Sequence, residues 1–204
     1  MERPTFREKM LRSRQEAIVV SVNRLLAEKG FETMTMDEVA ADVGIAKASL
    51  YKHFTSKEEL AAAAMIRALD RALEQVERLD REGPETAIGR LKAMTRWTLE
   101  LQLAGEMPSL PAQNSALRSA LMTNKAYLER LMQLSDRLGV WITEAQGCAA
   151  LNPAMPPEIL LYTLFARACD PVLSLLKVSG NLSDVAIADA LISTCFDGLA
   201  GPAR

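Results

Sequence analysis

The sequence predicts an all-α fold of about nine helices, in which a small amino-terminal helix-turn-helix domain precedes a larger helical bundle. Apolar residues recur at helical spacing through most of the chain, and no segment alternates like a strand. Capping signals at Thr35 and Ser56 mark two closely spaced helix starts. A length of 204 residues, 49% of them hydrophobic, is enough for one large or two modest cores. The expected division is an arm over residues 1–11, the helix-turn-helix domain over 12–62 and the bundle over 63–204.

The arm carries more basic than acidic side chains and precedes any apolar periodicity. It is either a solvated tail or an arm that adds phosphate or minor-groove contacts. The first helix is predicted from about Ser13 to Lys29, with Gly30 just past its end. Its apolar stripe consists of Ile18, Val22, Leu25 and Leu26. This helix is expected to brace the two that follow.

A pair of short helices comes next. Thr35 and Glu38 form a capping box that opens the first of them, and Gly44 ends it. After a tight turn, the second is predicted from about Lys47 to His53, with its apolar side facing the first. Ser56 then caps a third helix, which has no stop signal for more than twenty residues. That helix would connect the two domains.

The exposed side of the second short helix is positively charged. Between Asp42 and Glu58 the only charged residues are Lys47, Lys52 and Lys57. A capped helix pair with such a face is typical of a recognition helix that enters the DNA major groove. A merely solvated helical face would also carry lysines. We favour DNA binding because the caps, the turn and the charge asymmetry coincide.

The residues of this region carry a family resemblance. The pattern G-F-E-x-x-T-M-D-E-V-A-x-x-V-G-I-x-K-x-S-L-Y-K-H-F-x-S-K-E-E-L resembles the amino-terminal domain of the TetR family of transcriptional regulators, over about residues 12–62. Ala46 stands where that family usually has a serine or threonine cap, which costs about 1 kcal/mol of helix stability. The resemblance implies that the DNA-facing residues are Thr35, Lys47, Ala48, Ser49, Tyr51, Lys52, His53 and Lys57.

From Pro84 onward the chain reads as five more helices. A mostly apolar small molecule is expected between the helices of residues 84–179, because aromatic and methionine side chains form adaptable pocket walls. Taken alone, each of these aromatic residues is more often a core residue than a pocket residue. The candidate pocket residues are Trp97, Tyr127, Trp141, Tyr162 and Arg167.

The last two helices, at about 157–179 and 183–199, are apolar over more of their circumference than one core contact needs. A second copy of the chain would cover the remaining side, which predicts a homodimer. Asp170-Pro171 is expected to bend the first of these helices. The candidate interface residues are Ile159, Phe165, Val172, Ala188, Ile192 and Cys195.

Several function classes are disfavoured. The single histidine lies on the DNA-facing helix, and no paired carboxylates or nucleophile-base arrangement is visible, so we expect no catalytic residues and no cofactor. The odd number of cysteines, in apolar stretches, argues against a metal site and for reduced packing residues. No apolar run suggests a membrane span or signal peptide, so a cytoplasmic location is expected. The net charge of −2 does not exclude DNA binding, which depends on the local field.

Two classes remain. The first is a homodimeric repressor that leaves a near-palindromic operator when a small apolar ligand binds. The second is a helical adaptor whose helix-turn-helix contacts protein, or a regulator that no small molecule controls. Salt-dependent binding to double-stranded DNA would separate a DNA-binding regulator, whether or not a ligand controls it, from the adaptor.

Overall fold

The computed structural model describes residues 5–108, 115–170 and 172–198, with the side chains of these except 6–9 and 12. Over these residues the fold consists of helices without strands, so the predicted all-α class is confirmed. The helices are α1 (Phe6–Thr33), α2 (Met36–Val43), α3 (Lys47–Tyr51), α4 (Lys57–Glu82), α5 (Ala87–Leu103), α6 (Ala116–Thr123), α7 (Lys125–Gly147), α8 (Pro157–Ala168), α9 (Leu173–Ser179) and α10 (Asp184–Phe196).

The first helix begins earlier than predicted. It starts at Phe6 rather than near Ser13, so the backbone from residue 6 onward is helical where an arm was expected. Residues 1–4 of that arm lie outside the described residues, and its contact with DNA stays a prediction. Gly30 has φ 76° and ψ 170°, which interrupts the helix at the predicted end. Glycine suits this position because a positive φ is costly for other residues.

Among the described residues from Pro84 onward there are six helices rather than five, because the helix predicted over 157–179 is broken. Its two halves, α8 and α9, are bent by 41° relative to each other. A side chain of α5 holds the break. Gln102 Nε2 donates to the Arg167 carbonyl at 2.8 Å, and the Asp170 N–H donates to Gln102 Oε1 at 2.9 Å. The bend predicted at Asp170-Pro171 is therefore a complete interruption; Pro171 itself lies outside the described residues.

The chain divides into two compact units. The first comprises Met1–Ala68 and Pro108–Leu128, and the second Leu69–Met107 and Glu129–Arg204. The division therefore falls within α4, beyond the boundary expected after residue 62, and α6 groups with the amino-terminal helices. A domain boundary at that residue stays a prediction.

The second unit has two apolar clusters. The larger one joins α4, α5 and α7, and its buried members are Ala72, Val76, Leu79, Ala87, Leu91, Met94, Leu134, Leu138, Trp141, Ile142 and Ala145. The smaller one joins α5, α9 and α10, through Leu99, Leu103, Leu173, Ile187, Ala188 and Ile192. Because α5 contributes to both clusters and also packs against α8, it is the central helix of this unit.

Within the described part of the chain, no single helix is both long enough and apolar enough to cross a membrane. In the same described residues, one bent pair of helices, α8 and α9, reaches that length and composition when the two are taken together.

Candidate nucleic-acid interface

The site begins at the capped start of α2. The Thr35 hydroxyl accepts from the Glu38 N–H at 3.2 Å, and the Glu38 carboxylate accepts from the Thr35 N–H at 3.0 Å. The predicted capping box is thus present on both sides. The Lys29 ammonium, 2.7 Å from Glu38, together with Thr35 holds the pKa of that carboxyl below its usual range. Thr35 therefore serves as a cap, with its side chain exposed at the end of the helix.

The turn between α2 and α3 depends on one glycine. Gly44 has φ 72° and ψ 34°, in the left-handed region that favours glycine. The Ile45 N–H then donates to the Ala40 carbonyl at 2.9 Å, and the Gly44 N–H donates to the Ala41 carbonyl at 3.2 Å. These bonds satisfy carbonyls that the end of α2 would leave unpaired. The direction in which α3 leaves α2 is set by this turn.

Hydrogen bonds between α1 and the end of α2 hold the pair of short helices, α2 and α3, against α1. The Ser21 hydroxyl donates to Asp42 Oδ2 at 2.6 Å, and Arg24 Nη2 donates to Asp42 Oδ1 at 2.5 Å. Both donors, Ser21 more than Arg24, hold the pKa of Asp42 below its usual range. Beneath them Ile18, Val22 and Val39 are buried. The first helix thus braces the helix pair, as expected.

Helix α3 is short and lacks a side-chain cap. Its N-cap is Ala46, whose carbonyl alone accepts from the Ser49 and Leu50 N–H groups, at 2.8 and 3.2 Å. The helix ends at Tyr51, two residues before the predicted end. Leu50 and Phe54 are buried and face the rest of the unit. The residues left on the outside are Lys47, Ala48, Tyr51 and Lys52, with Ser49 and His53 partly exposed.

The start of α4 differs from the predicted capping box. The Ser56 hydroxyl accepts from the Glu59 N–H at 3.1 Å, as expected. The Glu59 carboxylate, however, accepts from the N–H and hydroxyl of Thr55, at 2.7 and 2.6 Å, rather than from Ser56. Two neighbouring residues therefore share the cap. The box was assigned to one residue because sequence spacing alone cannot distinguish adjacent hydroxyls.

Lys57 is held in place from two directions. Its Nζ donates to the Glu32 carbonyl at 3.1 Å and lies 4.4 Å from the centre of the Phe31 ring. A cation above an aromatic face is attracted by the ring electrons. The ammonium at the start of α4 is therefore positioned by the segment that follows Gly30.

Sequence reasoning missed one residue of this surface. Asp37, in the first turn of α2, accepts from Lys47 Nζ at 2.8 Å, and this carboxylate raises the pKa of Lys47. Both side chains are largely exposed, Lys47 by 51% and Asp37 by 69%. The charge count between Asp42 and Glu58 omitted α2, so the positive surface appeared to have no acid. The missing signal was the tight turn, which brings the first turn of α2 back beside the start of α3.

The predicted pocket residues lie in different local surroundings. Trp97 and Trp141 belong to the larger apolar cluster of the second unit, and Trp141 Nε1 donates to Asp80 at 3.0 Å. Tyr162 is 65% exposed on α8. Arg167 pairs with Asp170 at 2.7 Å, and Tyr127 belongs to the first unit. The ligand-binding role of these residues stays a prediction, and Trp141 has a sufficient structural role without it.

The predicted dimer residues differ in how far they are buried. Ile159 and Val172 are exposed, whereas Phe165 and Cys195 are partly buried. Ala188 and Ile192 are buried in the smaller cluster of the same chain, against α5 and α9. Their apolar character is explained by that core, so these two residues are corrected to core positions. The wide apolar arc of α10 had suggested a second copy because sequence does not reveal how many neighbours a helix has.

The three cysteines are free. Burial raises the pKa of the Cys169 thiol to about 11 and also raises that of Cys195. Cys148 is exposed, so its expected role as a packing residue is wrong. Its sequence neighbours are apolar, but they follow the end of α7 in a surface turn.

Comparison with known proteins shows that the sequence of this amino-terminal region matches a described family. Residues 18–64 match the family described as bacterial regulatory proteins, tetR family. The nucleoid occlusion factor SlmA of Haemophilus influenzae is 29% identical over 139 residues, which is 68% of this chain and 60% of SlmA. The chain spans less than two thirds of the length of the curated relatives compared.

Two solved structures share the fold over nearly the whole chain. The transcriptional regulator FadR from Bacillus subtilis, in complex with stearoyl-CoA, has a TM-score of 0.68 at 18% identity, covering 91% of this chain and 99% of FadR. AibR, in complex with isovaleryl coenzyme A and operator DNA, has a TM-score of 0.65 at 23% identity, covering 90% and 98%. At these identities the likeness establishes the fold alone.

Proposed function

We propose that this chain, a member of the tetR family of bacterial regulatory proteins by the match of its residues 18–64, is a homodimeric repressor that a small, mostly apolar ligand releases from a near-palindromic operator. The observation that carries DNA recognition is the exposed, cationic side of α3, on a helix pair braced by α1 and turned at Gly44. Two copies of α3 would enter major grooves about one helical turn apart, ~34 Å or somewhat more.

Within α3 and its flanks we assign two kinds of contact. Tyr51 and Lys57 contact phosphates and position the helix, because Tyr51 is exposed and Lys57 is held at the start of α4. Lys47 and Ser49 reach base edges, because they lie in the first turn of α3, the end that a recognition helix directs at the bases. The remaining candidates, Thr35, Ala48, Lys52 and His53, border these four.

The test begins with DNA selected from a random-sequence library by the full-length protein. Affinity for the selected duplex should fall steeply as salt rises, because cations that neutralise phosphates release counterions. Tyr51→Ala should lower the affinity for the selected duplex and for a shuffled duplex by the same factor. Ser49→Ala should change sequence preference, at a cost of about 1–3 kcal/mol if the contact is bidentate. No salt-dependent retention of any DNA would favour the adaptor class, and increased transcription from an operator-bearing promoter would indicate an activator.

Dimerisation is supported by the outer face of α8. Ile159, Tyr162 and Ala166 are exposed at helical spacing, while the opposite side of α8 packs on α5. Large apolar side chains of the following segment are exposed as well, namely Val172, Leu175, Val178, Leu182 and Val185. Large apolar side chains exposed in such number on consecutive segments are typical of a protein interface. We therefore assign the dimer contact to this outer surface rather than to Ala188 and Ile192.

The effector belongs to the second unit. Acyl-CoA thioesters are the first compounds to test, because FadR and AibR were each solved with one and share this fold. A ligand that binds the DNA-incompetent state 100-fold more tightly supplies about 2.7 kcal/mol per site against operator binding. Reciprocity requires operator DNA to weaken ligand affinity by the same factor.

We therefore expect stearoyl-CoA or a shorter acyl-CoA to raise the melting temperature of the free protein, with coenzyme A alone as the control. Each ligand that does so is titrated with and without the selected duplex. An affinity that ignores DNA would refute ligand control. A screen of acyl-CoAs and apolar metabolites without any binder would favour a regulator that no small molecule controls.

A further inference from the structure

The Asp37–Lys47 ion pair lies on the proposed DNA-binding surface and has no evident structural purpose. Both side chains are largely exposed, and exposed pairs contribute little to folding stability. The neighbouring acids have other roles: Glu38 completes the Thr35 cap, and Asp42 ties α2 to α1. Over the residues that the structure describes, Lys47 is the partner recorded for Asp37.

We propose that Asp37 is a specificity-determining residue, which aims the Lys47 ammonium and opposes its binding to phosphates of unrelated DNA. The inference rests on the proposed function, because it requires α3 to meet DNA. Lysine has three N–H donors on a flexible stem, so an unpaired Lys47 could reach any nearby phosphate. With one donor committed to Asp37, the remaining two point in a restricted set of directions.

The carboxylate also acts through its charge. A negative group beside the recognition helix repels every phosphate backbone, whatever the base sequence. At a cognate site, base contacts made by the oriented Lys47 offset that repulsion, whereas at unrelated DNA nothing offsets it. Asp37 should therefore weaken non-specific binding more than specific binding, and raise the ratio between the two affinities.

The experiment compares Asp37→Asn with the wild-type protein on the selected duplex and on a shuffled duplex of the same composition, over a fourfold range of salt. Affinity for the shuffled duplex should rise by about threefold at the lowest salt, and the salt slope should steepen by about one ion. Affinity for the selected duplex should rise less or fall, so the specificity ratio should decrease by about threefold or more. Asp136→Asn, an exposed acid on α7, is the control for the same change in net charge.

The role of Lys47 is tested in a Lys47→Met background. In that background Asp37→Asn should change the affinities for both duplexes by the same factor. The substitution removes the repulsion, but no ammonium group remains at position 47 for Asp37 to orient. A decrease of the ratio in that background would overturn the proposal, as would equal behaviour of Asp37→Asn and Asp136→Asn in the wild-type background. If the wild-type protein itself shows no salt-dependent DNA binding, the proposed function fails along with the inference; these other outcomes leave the function intact.

Discussion

At the residue scale, the N-cap of α3 has the backbone conformation of a helix cap but lacks a side chain that can cap the helix. Ala46 has φ −65° and ψ 141°, an extended conformation suitable for an N-cap, but it offers no side-chain acceptor. Thr35, at the start of α2, has both the conformation and the acceptor. The recognition helix is thus less firmly started than the helix that supports it.

Ala46→Ser should therefore stabilise the protein by about 1 kcal/mol, because a hydroxyl at an N-cap satisfies one unpaired N–H of the first turn. The free energy of unfolding, measured with denaturant, reports the gain. Ala41→Ser is the matched control. This alanine is exposed inside α2, where serine has a lower helix propensity than alanine and should cost a few tenths of a kcal/mol. Equal changes in the two variants would show that α3 is not limited by its cap.

At the element scale, the break between α8 and α9 depends on a side chain from a third helix. The Gln102 amide bonds the Arg167 carbonyl and the Asp170 N–H simultaneously. The Asp170 side chain then accepts from Arg167 at 2.7 Å and from the Val172 N–H at 2.9 Å. The Arg167 carbonyl and the Asp170 N–H have partners because α5 passes beside the interruption.

Gln102→Leu should lower the free energy of unfolding by about 1–3 kcal/mol, because it leaves a carbonyl and an N–H of the break without their partner. Gln133→Leu, an exposed position on α7, tests the same change of side chain where no such bonds exist. Calorimetry of the two variants makes the comparison. A loss no greater for Gln102 than for Gln133 would mean that the break is held by packing alone.

Elements defined by local chemistry could be predicted from the sequence. Gly30, Gly44 and the caps at Thr35 and Ser56 determine the first helices through residues next to one another. The interruption after Ala168 was foreseen only as a bend, because its stabiliser, Gln102, is distant in the chain. The Asp37–Lys47 pair was missed for a related reason, since it depends on how a turn folds two helices together.

At the scale of the whole molecule, a charge placed on an exposed apolar residue of the last helices should affect dimerisation, whereas a charge placed on a buried one should affect folding. Tyr162→Glu lies on the outer face of α8 and should yield a folded monomer, detected by sedimentation with an unchanged helical spectrum. Ile192→Glu places a carboxylate in the smaller core cluster of the chain, where an unpaired charge costs several kcal/mol, and should unfold it instead. A Tyr162→Glu protein that still sediments as a dimer would move the interface away from α8.

The composition of the first unit limits how this protein can exchange parts with relatives. Its two stretches, Met1–Ala68 and Pro108–Leu128, are separated in sequence by a stretch of the other unit. Leu117 and Leu121 of the second stretch are each only 1% exposed. A chimera that takes residues up to α4 from this protein and the rest from a relative would therefore combine the helices α1 to α3 of this protein with the relative's counterpart of α6. Such a chimera should fold stably only when that counterpart supplies leucine-sized side chains at both positions.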